Sequence, residues 1–292
     1  MTEKSLKIRG VEWRYVTGGR GEQTVLLFHG AVGGAETMRW LASAFEDEYR
    51  TVTPTVADVT TLEEVCDAAS AILDREHVGR AVVFGGSFGG LVAQAFFRRR
   101  RAQVQDLVLL STGAPSPAVG ARTARMTRLM RLLPFPLMRG LMRLEISKHL
   151  DAPVPEEHAA RVAEFRQRLD RYFEHTLTKR TLLSRVALSV DFNRNERYAP
   201  GDSAGWPGRV LVVESDDDPM IPPEERRRLR ETYPSAFVCT FPGAGHMIPL
   251  LRPEELVGLV KAFLKDDYST PAEIFGECSE AEGHGHVPHV ME

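Results

Sequence analysis

Gly85-Gly86-Ser87-Phe88-Gly89-Gly90-Leu91 follows the apolar run Ala81-Val82-Val83-Phe84 and opens a stretch of helix formers over residues 92–100. The order is strand, tight turn, helix, with a serine at the apex and a glycine two positions away on each side. A serine on such a turn is held in a strained backbone conformation, its Oγ exposed above the sheet. A Cβ at the flanking glycines would collide with neighbouring backbone, so their identity follows from the turn. Ser87 is therefore the first candidate nucleophile. An incidental serine in a glycine-rich turn is the competing explanation, and the strand before and helix after weigh against it.

Outward from this turn, strand-like runs recur at residues 24–28, 50–56, 81–84, 104–110, 209–213 and 236–241, with helical patterns between them at 36–47, 62–76, 91–101, 223–233 and 253–264. Short, nearly continuous apolar runs suit strands covered on both faces. Pro223 and Pro253 suit first helical turns, where the missing N–H is not needed. Alternating β and α predicts an α/β fold with a mostly parallel sheet and right-handed crossovers. Residues 12–16, before Gly18-Gly19-Arg20-Gly21, are expected to add an antiparallel edge strand.

The alternation fails between about 115 and 203, a stretch too long for a loop in a compact domain. It reads as an inserted helical cap, giving a core of residues 1–114 and 203–265, a cap of 115–202, and a polar tail of 266–292 expected to be disordered. Met126, Met130, Leu133 and Met138 lie in the first part of the cap among many arginines. They are candidates for a flexible apolar wall at a substrate pocket, with packing against the core as the plainer role. Pro134 and Pro136 interrupt the segment, so membrane contact by an amphipathic surface helix is not expected.

The chain has 292 residues, 43% of them hydrophobic, and a net charge of −3, which suffices for a large core and gives no reason to expect nucleic acid as a partner. No apolar stretch reaches the length of a membrane span. Residues 1–7 lack the apolar centre of a secretory signal. Cys66, Cys239 and Cys278 are odd in number and far apart, so no disulfide framework is expected. Together these point to a soluble, reduced, cytoplasmic protein. The tail histidines, 284, 286 and 289, have no thiolate or carboxylate at a ligand spacing, and no metal is expected.

A serine hydroxyl becomes a useful nucleophile when an imidazole takes its proton and a carboxylate orients that imidazole. Among nine histidines, His246 lies in Phe241-Pro242-Gly243-Ala244-Gly245-His246-Met247, just after the last strand, where small residues leave room for a ring above the sheet. The acid is expected after the preceding strand, in Glu214-Ser215-Asp216-Asp217-Asp218-Pro219-Met220-Ile221-Pro222. Asp218 is favoured because Asp-Pro-x-x-Pro fixes the chain as it turns; Asp216 and Asp217 are read as loop or capping residues.

In order along the chain stand His29-Gly30 after an early strand, the Ser87 turn, the Asp218-Pro219-Met220-Ile221-Pro222 loop and the Gly243-Ala244-Gly245-His246-Met247 loop. Over about residues 8–265 this resembles the α/β-hydrolase superfamily. The resemblance implies Ser87 as nucleophile, His246 as base and Asp218 as orienting acid. It implies an oxyanion hole from the backbone N–H groups of Ala31 and Phe88, and a structural role for His29. Two departures stand out. The segment 53–59 is shorter than, and lacks, the usual Asp-x-Arg-Gly-x-Gly-x-Ser, and Gly86 replaces a common histidine or asparagine. The short segment and Leu182-Leu183-Ser184-Arg185 faintly resemble the maspardin branch, which implies a non-catalytic adaptor as one alternative. A serine nucleophile excludes the aspartate-based dehalogenase and epoxide hydrolase chemistries of this fold. The expected function is hydrolysis of carboxylic esters with small to medium apolar acyl groups, without cofactor, with a C–C bond hydrolase of ring-cleavage products as the alternative enzyme.

Overall fold

The computed structural model describes residues 1–150, 156–266 and 277–280. In chain order the strands and helices are β1 (Thr2–Ile8), β2 (Val11–Gly18), β3 (Thr24–Phe28), α1 (Arg39–Phe45), β4 (Arg50–Pro54), α2 (Leu62–Arg75), β5 (Ala81–Gly86), α3 (Phe88–Arg99) and β6 (Val104–Leu110). There follow α4 (Pro117–Met130), α5 (Phe135–Leu150), α6 (Glu156–Arg171), α7 (Lys179–Asn195), β7 (Val210–Ser215), α8 (Pro223–Thr232), β8 (Phe237–Phe241), α9 (Ile248–Leu251), α10 (Pro253–Lys265) and β9 (Glu277–Glu280). This is the α/β-hydrolase fold: one sheet in the order β1-β2-β4-β3-β5-β6-β7-β8-β9, parallel from β4 to β8.

Alternation along each central strand divides its side chains between two cores. Leu26, Phe28, Val83, Leu107, Leu109 and Val212 face α2 and α3, whose Val65, Ile72, Val92 and Phe96 are buried against them. Val25, Leu27, Phe84, Val108, Leu110 and Val213 face α1 and α10, meeting Leu41, Phe45, Val260 and Phe263. Covering both faces is why these strands read as unbroken apolar runs. The turn before α2 is held by a capping box, Thr61 with Glu64.

Three features depart from the sequence expectation. The segment around residues 12–16 is a strand, but β1 pairs outside it, so β2 lies one place in from the edge. β1 is mostly exposed and polar, Thr-Glu-Lys-Ser-Leu-Lys-Ile, and so lacks an apolar signature. Within the expected disordered tail, β9 returns antiparallel to β8 and sets Cys278 at the register position opposite Cys239. Cys239 is disulfide-bonded, whereas Cys66 is free and buried. The reduced state expected of all three cysteines therefore does not hold for Cys239, because strand pairing overrides distance in sequence. The compartment no longer follows from cysteine usage. The rest of the tail, with its histidines, lies outside the described residues. Among the described residues no helix is long and apolar enough to cross a membrane.

Between β6 and β7 the chain leaves the sheet as α4 to α7. Buried Met138, Tyr172, Phe173, Leu177 and Leu182 form a cluster of their own there. α7 joins the insertion to the body of the fold. Leu188 and Phe192 enter the core beneath it, and Asn193 Oδ1 accepts from Ser116 N at 2.9 Å.

Candidate active site

Ser87 sits between β5 and α3 with φ 52° and ψ −121°, a left-sided conformation that a serine adopts only under constraint. The constraint is visible. Ser87 N donates to Leu110 O and Gly90 N donates to Ser87 O, each at 2.9 Å, and Thr112 Oγ1 donates to Ser87 O at 2.9 Å. The flanking glycines are dictated by space. A Cβ on Gly85 would lie 2.1 Å from Gly89 O, and one on Gly89 would lie 2.2 Å from Phe28 O.

His246 follows β8, and its Nε2 lies 3.0 Å from Ser87 Oγ. Its Nδ1 lies 2.9 and 3.1 Å from the two carboxylate oxygens of Asp218. A carboxylate only accepts, so Nδ1 carries the proton and Nε2 is left to accept from the serine hydroxyl. Asp218 is 5% exposed, and its Oδ1 also accepts from Met220 N at 2.8 Å and Ile221 N at 3.1 Å. The structure thus brings Ser87, His246 and Asp218 into one hydrogen-bonded chain from three separate loops.

The other two aspartates of the triplet are exposed at the surface, yet they are not idle. Asp216 Oδ1 accepts from Gly243 N and Asp217 Oδ1 from Gly245 N, each at 2.8 Å. Ser215 Oγ accepts from Ala244 N at 3.1 Å. The loop after β7 therefore holds the loop that carries His246. Burial raises the Asp217 pKa, but the bonds from Ser215 and Gly245 outweigh it and leave the carboxyl below its usual range. From α8, buried Arg226 reaches back to the carbonyl oxygens of Ser215 and Asp216. This scaffolding was not foreseen from the sequence, because it depends on β7 and β8 being neighbours.

His29 is fully buried. Its Nδ1 donates to Gly30 O at 2.7 Å and its Nε2 accepts from Val56 N at 3.0 Å. With both nitrogens engaged, and with burial and then the Arg185 guanidinium disfavouring protonation, its pKa falls to about 3. It ties the loop after β3 to the loop after β4 as a neutral ring. Ala31 belongs to that β3 loop. Phe88 opens α3, where the first N–H groups lie outside the intrahelical ladder and the helix dipole is positive.

A cavity of about 160 Å³ reaches Ser87 and His246, walled by Phe28, Val32, Trp40, Leu110, Phe165 and Leu250 among others. It shares Val32, Trp40, Phe165 and Leu250 with a broad groove of about 1860 Å³ beneath α6. The four insertion residues singled out in the sequence are not among its walls. Met126 is 54% exposed and Met138 only 1%, while Met130 and Leu133 pack with Met138 against Phe173 and Leu177. Helical spacing could not tell which apolar face of the insertion turns inward, and the cavity is lined instead by core loops and α6.

Arg185 on α7 is a wall residue that no sequence motif singles out. It lines the groove, is 4% exposed, and donates to Val56 O at 2.5 Å and Ala57 O at 3.2 Å. Its guanidinium lies 5.7 Å from the centre of the Phe88 ring, and its buried Nε has no hydrogen-bond partner among the described residues. Burial pulls its pKa down from the usual arginine value. The sequence signal was present: Arg185 interrupts the buried stripe Leu182, Leu188, Phe192 of α7.

Comparison with known proteins agrees with this architecture. The chain is 26% identical over 271 residues to the 2-hydroxy-6-oxononadienedioate/2-hydroxy-6-oxononatrienedioate hydrolase of Paraburkholderia xenovorans (strain LB400), covering 87% of this chain and 91% of that one. The fold is similar to that of an esterase from Thermogutta terrifontis (TM-score 0.69, 20% identity, 92% of this chain and 100% of that chain). It is also similar to a meta-cleavage product hydrolase from Pseudomonas fluorescens IP01 (TM-score 0.62, 21% identity, 90% of this chain and 97% of that chain). The model of the alpha/beta hydrolase family matches residues 25–259, from the first parallel strand to the closing helix, and the chain therefore belongs to that family.

Proposed function

We propose that this hydrolase cleaves carboxylic esters with small to medium apolar acyl groups through an acyl-enzyme on Ser87. The contact chain from Asp218 through His246 to Ser87 Oγ at 3.0 Å carries the reading. His246 takes the hydroxyl proton as Oγ bonds to the ester carbonyl carbon. The negative charge that develops on the carbonyl oxygen is met by the N–H groups of Phe88 and Ala31, each typically contributing about 10²–10³-fold. The C–O bond to the alcohol then breaks, and His246 gives its proton to the departing oxygen. Water attacks the acyl carbon while His246 takes a proton from the water; as the bond from that carbon to Ser87 Oγ breaks, His246 returns the proton to Oγ and the acid is released. Asp218 holds the ring in the tautomer these transfers need.

The acyl preference rests on the apolar cavity of about 160 Å³ beside Ser87, a space that suits a group of about the size of benzene. The insertion α4 to α7 serves in this reading as a cap over the strand ends.

A second reading has its own observation. Arg185 is a buried cation on the groove wall whose Nε has no partner among the described residues, and an acidic substrate would supply an acceptor. That favours C–C cleavage of a dicarboxylate such as the Paraburkholderia relative's. A panel of p-nitrophenyl esters from acetate to palmitate, run beside 2-hydroxy-6-oxononadienedioate, separates the two. Ester turnover that peaks at short chains and vanishes in Ser87→Ala supports the first reading. Preferred cleavage of the dienedioate, with a raised KM in Arg185→Gln, establishes the second. A folded protein whose Ser87 resists a fluorophosphonate probe would leave only the adaptor alternative.

A further inference from the structure

Apart from Met1 and Met220, every exposed large apolar side chain among the described residues lies between 126 and 144: Met126, Leu129, Leu132, Leu137, Leu141 and Leu144. They belong to α4, to α5 and to the turn between them. That turn is well held. Leu132 N and Leu133 N donate to Leu129 O and Met130 O at 3.0 Å, and Lys179 Nζ donates to Arg131 O at 2.8 Å and Leu133 O at 2.9 Å.

The insertion turns apolar side chains both inward and outward. On α5, Met138, Met142 and Ile146 point to the inner cluster, while Leu137, Leu141 and Leu144, at the i, i+4, i+7 spacing of one face, stay outside. On the turn, Leu133 packs inward and Leu132 is 82% exposed. An outer helix face is normally polar, and a concentrated apolar surface of this kind marks an interaction site.

The charges on the same surface indicate its partner. Arg122, Arg125, Arg128, Arg131, Arg143 and Lys148 are exposed on the same two helices and their turn, Arg143 being paired with Asp170 of α6. Glu145 is the sole carboxylate between residues 115 and 150, and it is paired with Lys148 at 2.8 Å. Among the described residues, Arg125, Arg128 and Arg131 have no ion-pair partner. Leucines beside unpaired arginines match the boundary of an anionic bilayer, where apolar side chains enter the acyl region and guanidinium groups reach the phosphates. A second copy of this chain would bring like charges face to face.

We propose that the α4–α5 elbow docks on an anionic phospholipid bilayer, with Leu129, Leu132 and Leu137 inserted and Arg125, Arg128 and Arg131 on lipid phosphates. Pro134 and Pro136, which in the sequence weighed against a continuous membrane helix, instead fold the segment so that its turn projects leucines. On the hydrolase reading above, Val32 packs on the inner cluster and lines the Ser87 cavity, so the inner side of the docked elbow borders the site.

Vesicle flotation of the full chain tests this, with phosphatidylcholine alone or mixed equally with phosphatidylglycerol. The wild type and Ser87→Ala are expected to float equally with the anionic vesicles, whatever substrate the site accepts. Combined Leu129→Ser, Leu132→Ser and Leu137→Ser should weaken partition more than about a hundredfold. Each of Arg125→Gln, Arg128→Gln and Arg131→Gln should weaken it about fivefold, on anionic vesicles alone and less at high salt. Circular dichroism should be unchanged, since all six side chains are exposed. Absence of wild-type flotation on anionic vesicles, or flotation indifferent to the leucine variant, overturns the proposal. So does a dimer in sedimentation equilibrium that the leucine variant dissociates while vesicles capture nothing, which assigns the face to a second copy.

Discussion

Asp218→Asn replaces one buried oxygen with an NH₂ group. Met220 N and Ile221 N both donate to Oδ1, at 2.8 and 3.1 Å, so the remaining oxygen of the amide is held there. The NH₂ is then left facing His246 Nδ1, where Oδ2 stood at 2.9 Å. An NH₂ donates, so Nδ1 must accept and the ring proton moves to Nε2. Nε2–H then points at Ser87 Oγ, and no base remains for the hydroxyl proton. The expected loss is about 10⁴-fold in kcat, or about 5.5 kcal/mol of barrier. Stability should change little, because both backbone donors keep their acceptor. Asp216→Asn and Asp217→Asn each retain an oxygen for their glycine N–H and should stay within about tenfold of wild type. Initial rates on p-nitrophenyl acetate, with thermal melts of the same preparations, decide the matter. An Asp218→Asn enzyme within tenfold of wild type, or an Asp217→Asn enzyme crippled in its place, would refute the assignment.

Gly89→Ala places a Cβ 2.2 Å from Phe28 O and 2.8 Å from His29 O, so urea melts should show a loss of about 1–3 kcal/mol and fluorophosphonate should label Ser87 more slowly; unchanged values would mean the turn is looser than its geometry. Met138→Ala, at a fully buried site, should cost about 2–5 kcal/mol in the same melts with the ester chain-length profile preserved, while Met126→Ala should stay within about 0.5 kcal/mol. His29 is neutral in the fold, with its pKa brought from 6.5 to about 3. Below pH 6.5 the unfolded chain takes up a proton that the native ring refuses, so this group's contribution, complete above pH 6.5, is lost as pH falls toward 3. Its slope is at most about 1.4 kcal/mol per pH unit. Denaturation of wild type and His29→Asn at pH 7 and pH 4 should show a gap that narrows at low pH, and a constant gap would place the titration elsewhere.

The Ser87 turn was legible in the sequence because everything that forces it is local. The strand, the glycines at 85 and 89, and the helix start fall within a few residues, and both glycines are where a Cβ would strike backbone. The parallel core was legible for a related reason. Strands covered on both faces are built mostly of apolar residues, so 24–28, 107–110 and their neighbours announce themselves as largely apolar runs. His246 and Asp218 could be placed after the last two parallel strands, with the resemblance lending them roles.

Tertiary structure decided the rest, wherever the outcome depends on which segments become neighbours. β1 is a strand because β2 pairs with it, not because its exposed side chains demand one. Cys239 meets β9 across a sheet edge that sequence separation cannot reveal. Asp216 and Asp217 act on Gly243 and Gly245 because parallel β7 and β8 release their loops side by side. Arg185 and the insertion methionines show the same limit. Periodicity marks an apolar face, but α5 has two such faces. Packing on Phe173 and Leu177 selects Met138 for the inside and leaves Leu129, Leu132 and Leu137 for the outside.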